Sequence, residues 1–184
     1  MTTSHIERSV DGLLDVARPL VREWRKHTPK QMLYFFPEYE ALDSARVQRA
    51  LAALTTFAER DLGITMRTER PRALRNEYAA EGAYCDVFQE IWIAPHHEPA
   101  RRLTVLTHEI AHALTLPTYF ARPIDNLRRS RRDEGIAEVI AEATAVAATV
   151  GSGVLRPTNH DAIRYIASHA VNGGGESALE RAKP

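Results

Sequence analysis

Hydrophobic positions at the start of the chain recur at helical spacing. Val10, Leu13, Leu14, Ala17, Val21 and Trp24 fall three or four residues apart, which predicts an amphipathic helix with Pro19 as a kink or break and Thr28-Pro29 as its end. Ala45, Val47, Leu51, Leu54, Phe57 and Ala58 predict a second helix over 43–60, with Leu62-Gly63 as the exit. At Ile64 the period shortens to that of a strand. Ile64-Thr65-Met66-Arg67, Ala83-Tyr84-Cys85-Asp86 and Glu90-Ile91-Trp92-Ile93-Ala94 read as three short strands bounded by Gly82 and Pro95. A turn at 86–89 makes the last two antiparallel neighbours.

Helical periodicity then returns. Glu98-Pro99-Ala100-Arg101 opens a third helix, because a first turn tolerates the missing N–H of proline, and Leu116-Pro117 closes it. A link from Pro117 to Arg132, rich in turn formers and arginine, leads to a fourth helix over 133–150 that stops at Gly151-Ser152-Gly153. A last helix is expected over 159–170, and Asn172-Gly173-Gly174-Gly175 onward reads as a flexible tail. The pattern predicts an α+β class, mostly helical with a small three-stranded sheet. It divides the chain into a single domain over 1–171, in which helices of 1–62 pack on a core of 63–171, and a tail over 172–184.

Composition agrees with one soluble domain: 184 residues, 44% hydrophobic and 26% charged, are enough for a sizeable core. Lys plus Arg equals Asp plus Glu at 24 each, so no net field draws the chain to nucleic acid or acidic lipid. The basic runs Arg101-Arg102 and Arg128-Arg129-Ser130-Arg131-Arg132 lie beside helix starts or in the link and read as solvated faces, which disfavours direct nucleic-acid binding. Cys85 is the only cysteine; it excludes an internal disulfide and fits a reducing compartment. Met1 to Arg8 holds no apolar signal core, and no apolar run nears the roughly 18 residues of a spanning helix. A cytoplasmic protein with no membrane partner is expected.

Candidate chemistry sits in the third helix. In His108-Glu109-Ile110-Ala111-His112, two imidazoles four residues apart can grip one zinc ion, and the glutamate between them can handle a proton of water. At about 100° per residue, His108, Glu109 and His112 share one side of the helix, opposite Leu103, Leu106, Ile110, Ala113 and Leu114. A shuffled chain of this composition yields such a pentad in about 3 cases in 100, so its weight comes from this context.

A catalytic zinc takes three protein ligands and leaves one position open, so a third ligand must come from elsewhere. The fourth helix offers Glu134, Glu138 and Glu142 beside an apolar stripe of Ile136, Val139, Ile140, Ala143, Val146, Ala147 and Val150. Glu134 points toward solvent. Geometry leaves Glu138 and Glu142 as equals, one to bind metal and the other to accept the free N–H of a ligating histidine. Tyr165 and Tyr119 are candidate donors to a developing oxyanion. His96 and His97 read as solvent-facing loop residues, and His160 and His169 as structural or surface residues. If Gly82–Asp86 or Glu90–Ala94 is an exposed sheet edge, an extended peptide can pair with it.

Thr104-Val105-Leu106-Thr107-His108-Glu109-Ile110-Ala111-His112-Ala113-Leu114, then Glu138-Val139-Ile140-Ala141-Glu142-Ala143-Thr144-Ala145-Val146, and more weakly Tyr165-Ile166-Ala167, resemble the small gluzincin-type zinc metallopeptidases of bacterial and phage genomes. Endopeptidases that cleave phage or stress-response repressors, and the peptidase domain of anti-restriction proteins, belong there. The resemblance covers roughly Ile64 to Ala170. It implies a zincin-like metallopeptidase fold, with zinc bound by His108 and His112 and Glu109 as general base. It further implies Glu138 as third ligand, Glu142 in support, and a protein partner that regulates DNA as substrate. The chain departs from that pattern in a longer, more basic link over 116–132. It also shows no DNA-binding motif in its first sixty residues, where the interval 28–42 is too long for the turn of a helix-turn-helix.

The expected function is a zinc-dependent metallopeptidase hydrolysing peptide bonds of a restricted protein substrate, with Glu109 as base and Tyr165 assisting. The alternatives are a catalytically silent binding or anti-restriction module of the same fold, and a structural helical domain with an accidental pentad.

Overall fold

In the computed structural model, which describes residues 3–24, 37–70, 81–119 and 131–183, apolar stripes of the long helices face one another. Helix α1 (Thr3–Trp24) continues through Pro19, which stands exposed, and turns Val10, Leu14, Ala17 and Val21 inward. They meet Ile136, Val139, Ala143 and Ala147 of a helix at Arg131–Thr149, and Ile166, Ala167 and Ala170 of a helix at Asp161–Asn172. The first helix thus covers the back of the helical core.

A second packing layer forms on the other side. Strand β1 (Tyr39–Ala41) leads to α2 (Ser44–Thr56), whose N-terminus is capped by the Asp43 carboxylate accepting from the Arg46 N–H, and α2 ends in one π-helical turn at Phe57–Asp61. Val47, Leu51, Leu54 and Ala58 lie against Leu103, Leu106 and Ile110 of α3 (Pro99–Tyr119). Between them, β2 (Thr65–Arg67), β3 (Gly82–Cys85) and β4 (Glu90–Ile93) form a sheet ordered β2-β4-β3. As the turn at 86–89 requires, β3 and β4 are antiparallel; β2 joins β4 in parallel, so the sheet is mixed. The class is α+β, mostly helical with small sheets.

Three features differ from the sequence expectation. Helix α3 runs to Tyr119, two residues past the proline expected to close it. Strand β1 pairs antiparallel with β5 (Leu155–Pro157), the stretch between α4 (Arg131–Thr149) and α5 (Asp161–Asn172), in a two-stranded sheet that no alternation announces.

Third, the tail expected over 172–184 packs as a short helix, α6 (Glu176–Arg181), with Ala178 and Leu179 fully buried in the cluster of α1, α4 and α5. The glycines that suggested mobility perform the turn: Gly174 and Gly175 adopt φ of 109° and 76°, the left-handed region that side chains resist. A Cβ on Gly135 would lie 2.6 Å from the Gly173 nitrogen and the His169 oxygen, so this glycine lets α4 meet the end of α5 backbone to backbone. Arg18 and Arg22 reach Glu180 and Glu176 at 2.6 and 2.9 Å, exposed pairs that contribute little beside the apolar contact. Truncating Leu179 to alanine is expected to cost about 2–5 kcal/mol of stability in denaturant unfolding. A change below about 0.5 kcal/mol, the usual effect of a surface substitution, would return these residues to a tail.

Candidate metal centre

Helices α3 and α4 pack on each other more extensively than any other pair, and their crossing sets the site. Val105, Leu106, Ile110 and Ala111 bury the inner face of α3, while Leu114, expected on that face, is 51% exposed. Thr107 sits in the same buried stretch and donates back to the Leu103 carbonyl at 2.7 Å, which satisfies its hydroxyl within the helix.

Two turns of α3 and one of α4 bring His108, His112 and Glu138 together, the one such group among the described residues whose ligand atoms all lie within 4.8 Å of one another. The two Nε2 atoms face each other across 3.0 Å; Glu138 Oε2 is 3.3 Å from His108 Nε2, and Oε1 is 3.4 Å from His112 Nε2. Donors bound tetrahedrally at about 2.0–2.1 Å stand roughly 3.3–3.4 Å apart, so the spacing and chemistry of this donor set fit a zinc ion. The Glu138 side chain keeps 28% of its exposure against 13% and 11% for the imidazoles, which leaves the cluster open to solvent on the α4 side.

Glu142, one turn further along α4, lies on the other edge of the same imidazole: its Oε2 is 3.0 Å from His108 Nδ1. The two glutamates that geometry left equal in the sequence are thereby distinguished. Glu138 faces the Nε2 pair and Glu142 the Nδ1–H, while Glu134 is exposed as expected.

Charge at the cluster follows from burial and pairing. Burial opposes a proton on His108, but hydrogen bonds to Glu138 and Glu142 outweigh it and hold the imidazole well above its ordinary range. Burial likewise pushes Glu138 up, yet His108 and His112 pull it well below the usual carboxylate value. The site therefore favours positive charge at its centre, which a proton satisfies in part and a divalent cation more fully.

Glu109 lies near the three-residue group, where the charges of His108, His112 and Glu138 act on it, with its carboxylate against Gly82 of the sheet, and is 7% exposed. Burial raises its pKa, the two imidazoles lower it, and the backbone N–H of Tyr84 in β3 donates to its carboxylate. Gly82 permits this approach, since a Cβ there would stand 2.9 Å from Glu109 Oε1. Tyr165 of α5 donates to Glu138 Oε2 at 2.8 Å with its ring edge-on to His108. Burial and the neighbouring carboxylates push its phenol well above the ordinary value, so it remains a donor.

Other histidines and tyrosines fall less evenly. His97, expected to face solvent, has an 8% exposed side chain, and burial lowers its pKa; His96 is exposed. His169 stacks on the Tyr165 ring at 4.4 Å, behind the site rather than on the surface, whereas His160 is exposed. Tyr39 donates to Glu142 Oε1 at 3.3 Å, and no motif pointed to it. The side chain of Tyr119 and residues 120–130, including Arg128-Arg129-Ser130, lie outside the described residues. Among the described residues no helix is long and apolar enough to cross a membrane.

No protein-family model, no curated protein and no solved structure matches the chain.

Proposed function

We propose that the chain is a zinc-dependent metallopeptidase of the gluzincin type with a zincin-like fold, cleaving peptide bonds of a restricted protein or peptide substrate. One observation carries the reading: His108, His112 and Glu138, from separate helices, present ligand atoms 3.0 to 3.4 Å apart, and a buried, non-ligating Glu109 stands between the histidines in sequence. An accidental pentad gives no reason for a second helix to bring one carboxylate to both Nε2 atoms and another to Nδ1.

When bound, zinc would supply a Lewis acid that polarises a carbonyl and makes water a nucleophile near neutral pH. Glu109 takes the proton from the attacking water and returns it to the leaving amine. Burial raises its pKa above the ordinary carboxylate value, which makes it a stronger base toward that water. The Tyr84 N–H holds the carboxylate in place during both transfers. Tyr165 donates its one O–H to Glu138 and keeps that carboxylate oriented; turned away from it, the same proton serves the developing oxyanion instead. Glu142 fixes the His108 ring through Nδ1. With Cys85 as the only cysteine, we place this activity in the cytoplasm.

The zinc-loaded chain is expected to cleave members of a peptide library, read by mass spectrometry, to stop on chelation and to resume on adding zinc. Cleavage indifferent to chelator, or a loaded chain that cuts nothing in the library, would contradict the reading.

A further inference from the structure

Glu142 is 8% exposed, and both of its oxygens are engaged: Oε2 faces His108 Nδ1 and Oε1 the Tyr39 hydroxyl. We propose that Tyr39, in β1, is a positioning residue of the metal centre that holds the Glu142 carboxylate in the plane where it receives the His108 Nδ1–H. The inference rests on the zinc reading above and extends the site into the N-terminal segment.

The direction of the hydrogen bonds makes the link specific. An ionised carboxylate only accepts, so Oε1 requires a donor at Tyr39 and Oε2 a donor at Nδ1. Burial, with the charge of Glu142, keeps the Tyr39 phenol protonated. With Nδ1 fixed as a donor, the proton that His108 can give up is the one on Nε2, the atom that faces His112 and Glu138. A carboxylate gripped at one oxygen alone rotates about its last bond, and the imidazole follows it.

The backbone around Tyr39 is anchored as a positioning role requires. It pairs with Pro157 in the β1–β5 register, and Thr158 donates its N–H to the Glu38 carbonyl at 3.0 Å. Arg101, two turns before His108 on α3, donates to the Pro37 carbonyl at 2.8 Å and pairs with Glu81. The Tyr39 ring packs on the cluster of Val47, Leu103, Val154 and Leu155. Phenylalanine would fill that space equally; the hydroxyl alone reaches Glu142. This gives the two-stranded sheet, separate from the three-stranded one, a task at the site.

The test titrates zinc against a chromophoric chelator and records the visible spectrum of the cobalt(II) form, with thermal unfolding as a control for folding. Tyr39→Phe is expected to weaken zinc binding about fivefold and shift the cobalt bands, and Glu142→Gln to weaken it about 10- to 100-fold, as loss of an outer partner does. The double variant is expected to bind no more weakly than Glu142→Gln, because the tyrosine acts only through that carboxylate. An unchanged affinity and spectrum in Tyr39→Phe overturns the link even if stability falls, and so does a loss that adds fully to that of Glu142→Gln. In the zinc-loaded wild type, independent of any variant, the Tyr39 hydroxyl proton is expected to exchange slowly with water; one averaged with solvent overturns the link. A wild type that takes up no zinc removes the zinc reading and this inference with it, whereas a wild type that binds beside an unaffected variant removes this inference alone.

Discussion

Replacing Glu109 by glutamine is expected to slow peptide hydrolysis by about 100- to 10,000-fold, the range attached to loss of a general acid–base, with zinc affinity altered by no more than about tenfold. Glutamine preserves the volume of a side chain that is 7% exposed, and its amide oxygen still accepts the Tyr84 N–H. What it loses is the capacity to accept a proton. Glu109 is absent from the group whose atoms converge within 4.8 Å, so metal retention and loss of rate separate cleanly. Rates come from cleavage of one library peptide, and metal content from elemental analysis of the same samples. A variant that cleaves at the wild-type rate would remove Glu109 from the chemistry.

Removing a ligand acts on the other quantity. His112→Ala is expected to weaken zinc binding by more than about 100-fold, beyond the effect of losing an outer partner, because one of three donors is gone. Glu138→Gln should follow it, and Glu142→Gln should lose less than either, since Glu142 meets His108 on the Nδ1 side. Stability gives a second readout. Zinc at a hundredfold excess over its Kd stabilises the folded chain by about 2.7 kcal/mol, which in a domain of this size raises the unfolding midpoint by about 5–11 °C. That rise is expected in the wild type and absent in His112→Ala. An equal rise in both would mean that zinc binds elsewhere.

The sequence made visible what local periodicity controls. The pentad helix, the glutamate-bearing helix and three short strands lie within a few residues of where their patterns put them, and the two helices do so because each buries one face whose spacing can be counted. The strands β1 and β5 were not visible: three residues each, flanked by Pro37 and ended by Pro157, they pair across more than a hundred positions, and no window of sequence contains that pairing. For the same reason Tyr39 carried no signal.

Helix α6 has a sequence signal of its own, although the sequence expectation is a tail. Ala178, Leu179 and Ala182 follow helical spacing, and the adjacent glycines that read as a mobile tail supply the tight turn and close approach the helix needs. Pro117 does not terminate α3, which passes it before ending. At the site, one helix alone could not rank Glu138 and Glu142, because both flank the same apolar stripe. The crossing of α3 and α4 ranks them, by giving one carboxylate to the Nε2 pair and the other to Nδ1.

The most direct measurement is anomalous diffraction from crystals of the zinc-loaded chain, recorded on both sides of the zinc absorption edge. The account predicts one strong peak per chain within about 2.0–2.2 Å of His108 Nε2, His112 Nε2 and a Glu138 oxygen, with Glu142 outside that radius. A peak at other residues, or none between α3 and α4 in zinc-saturated crystals, would contradict it.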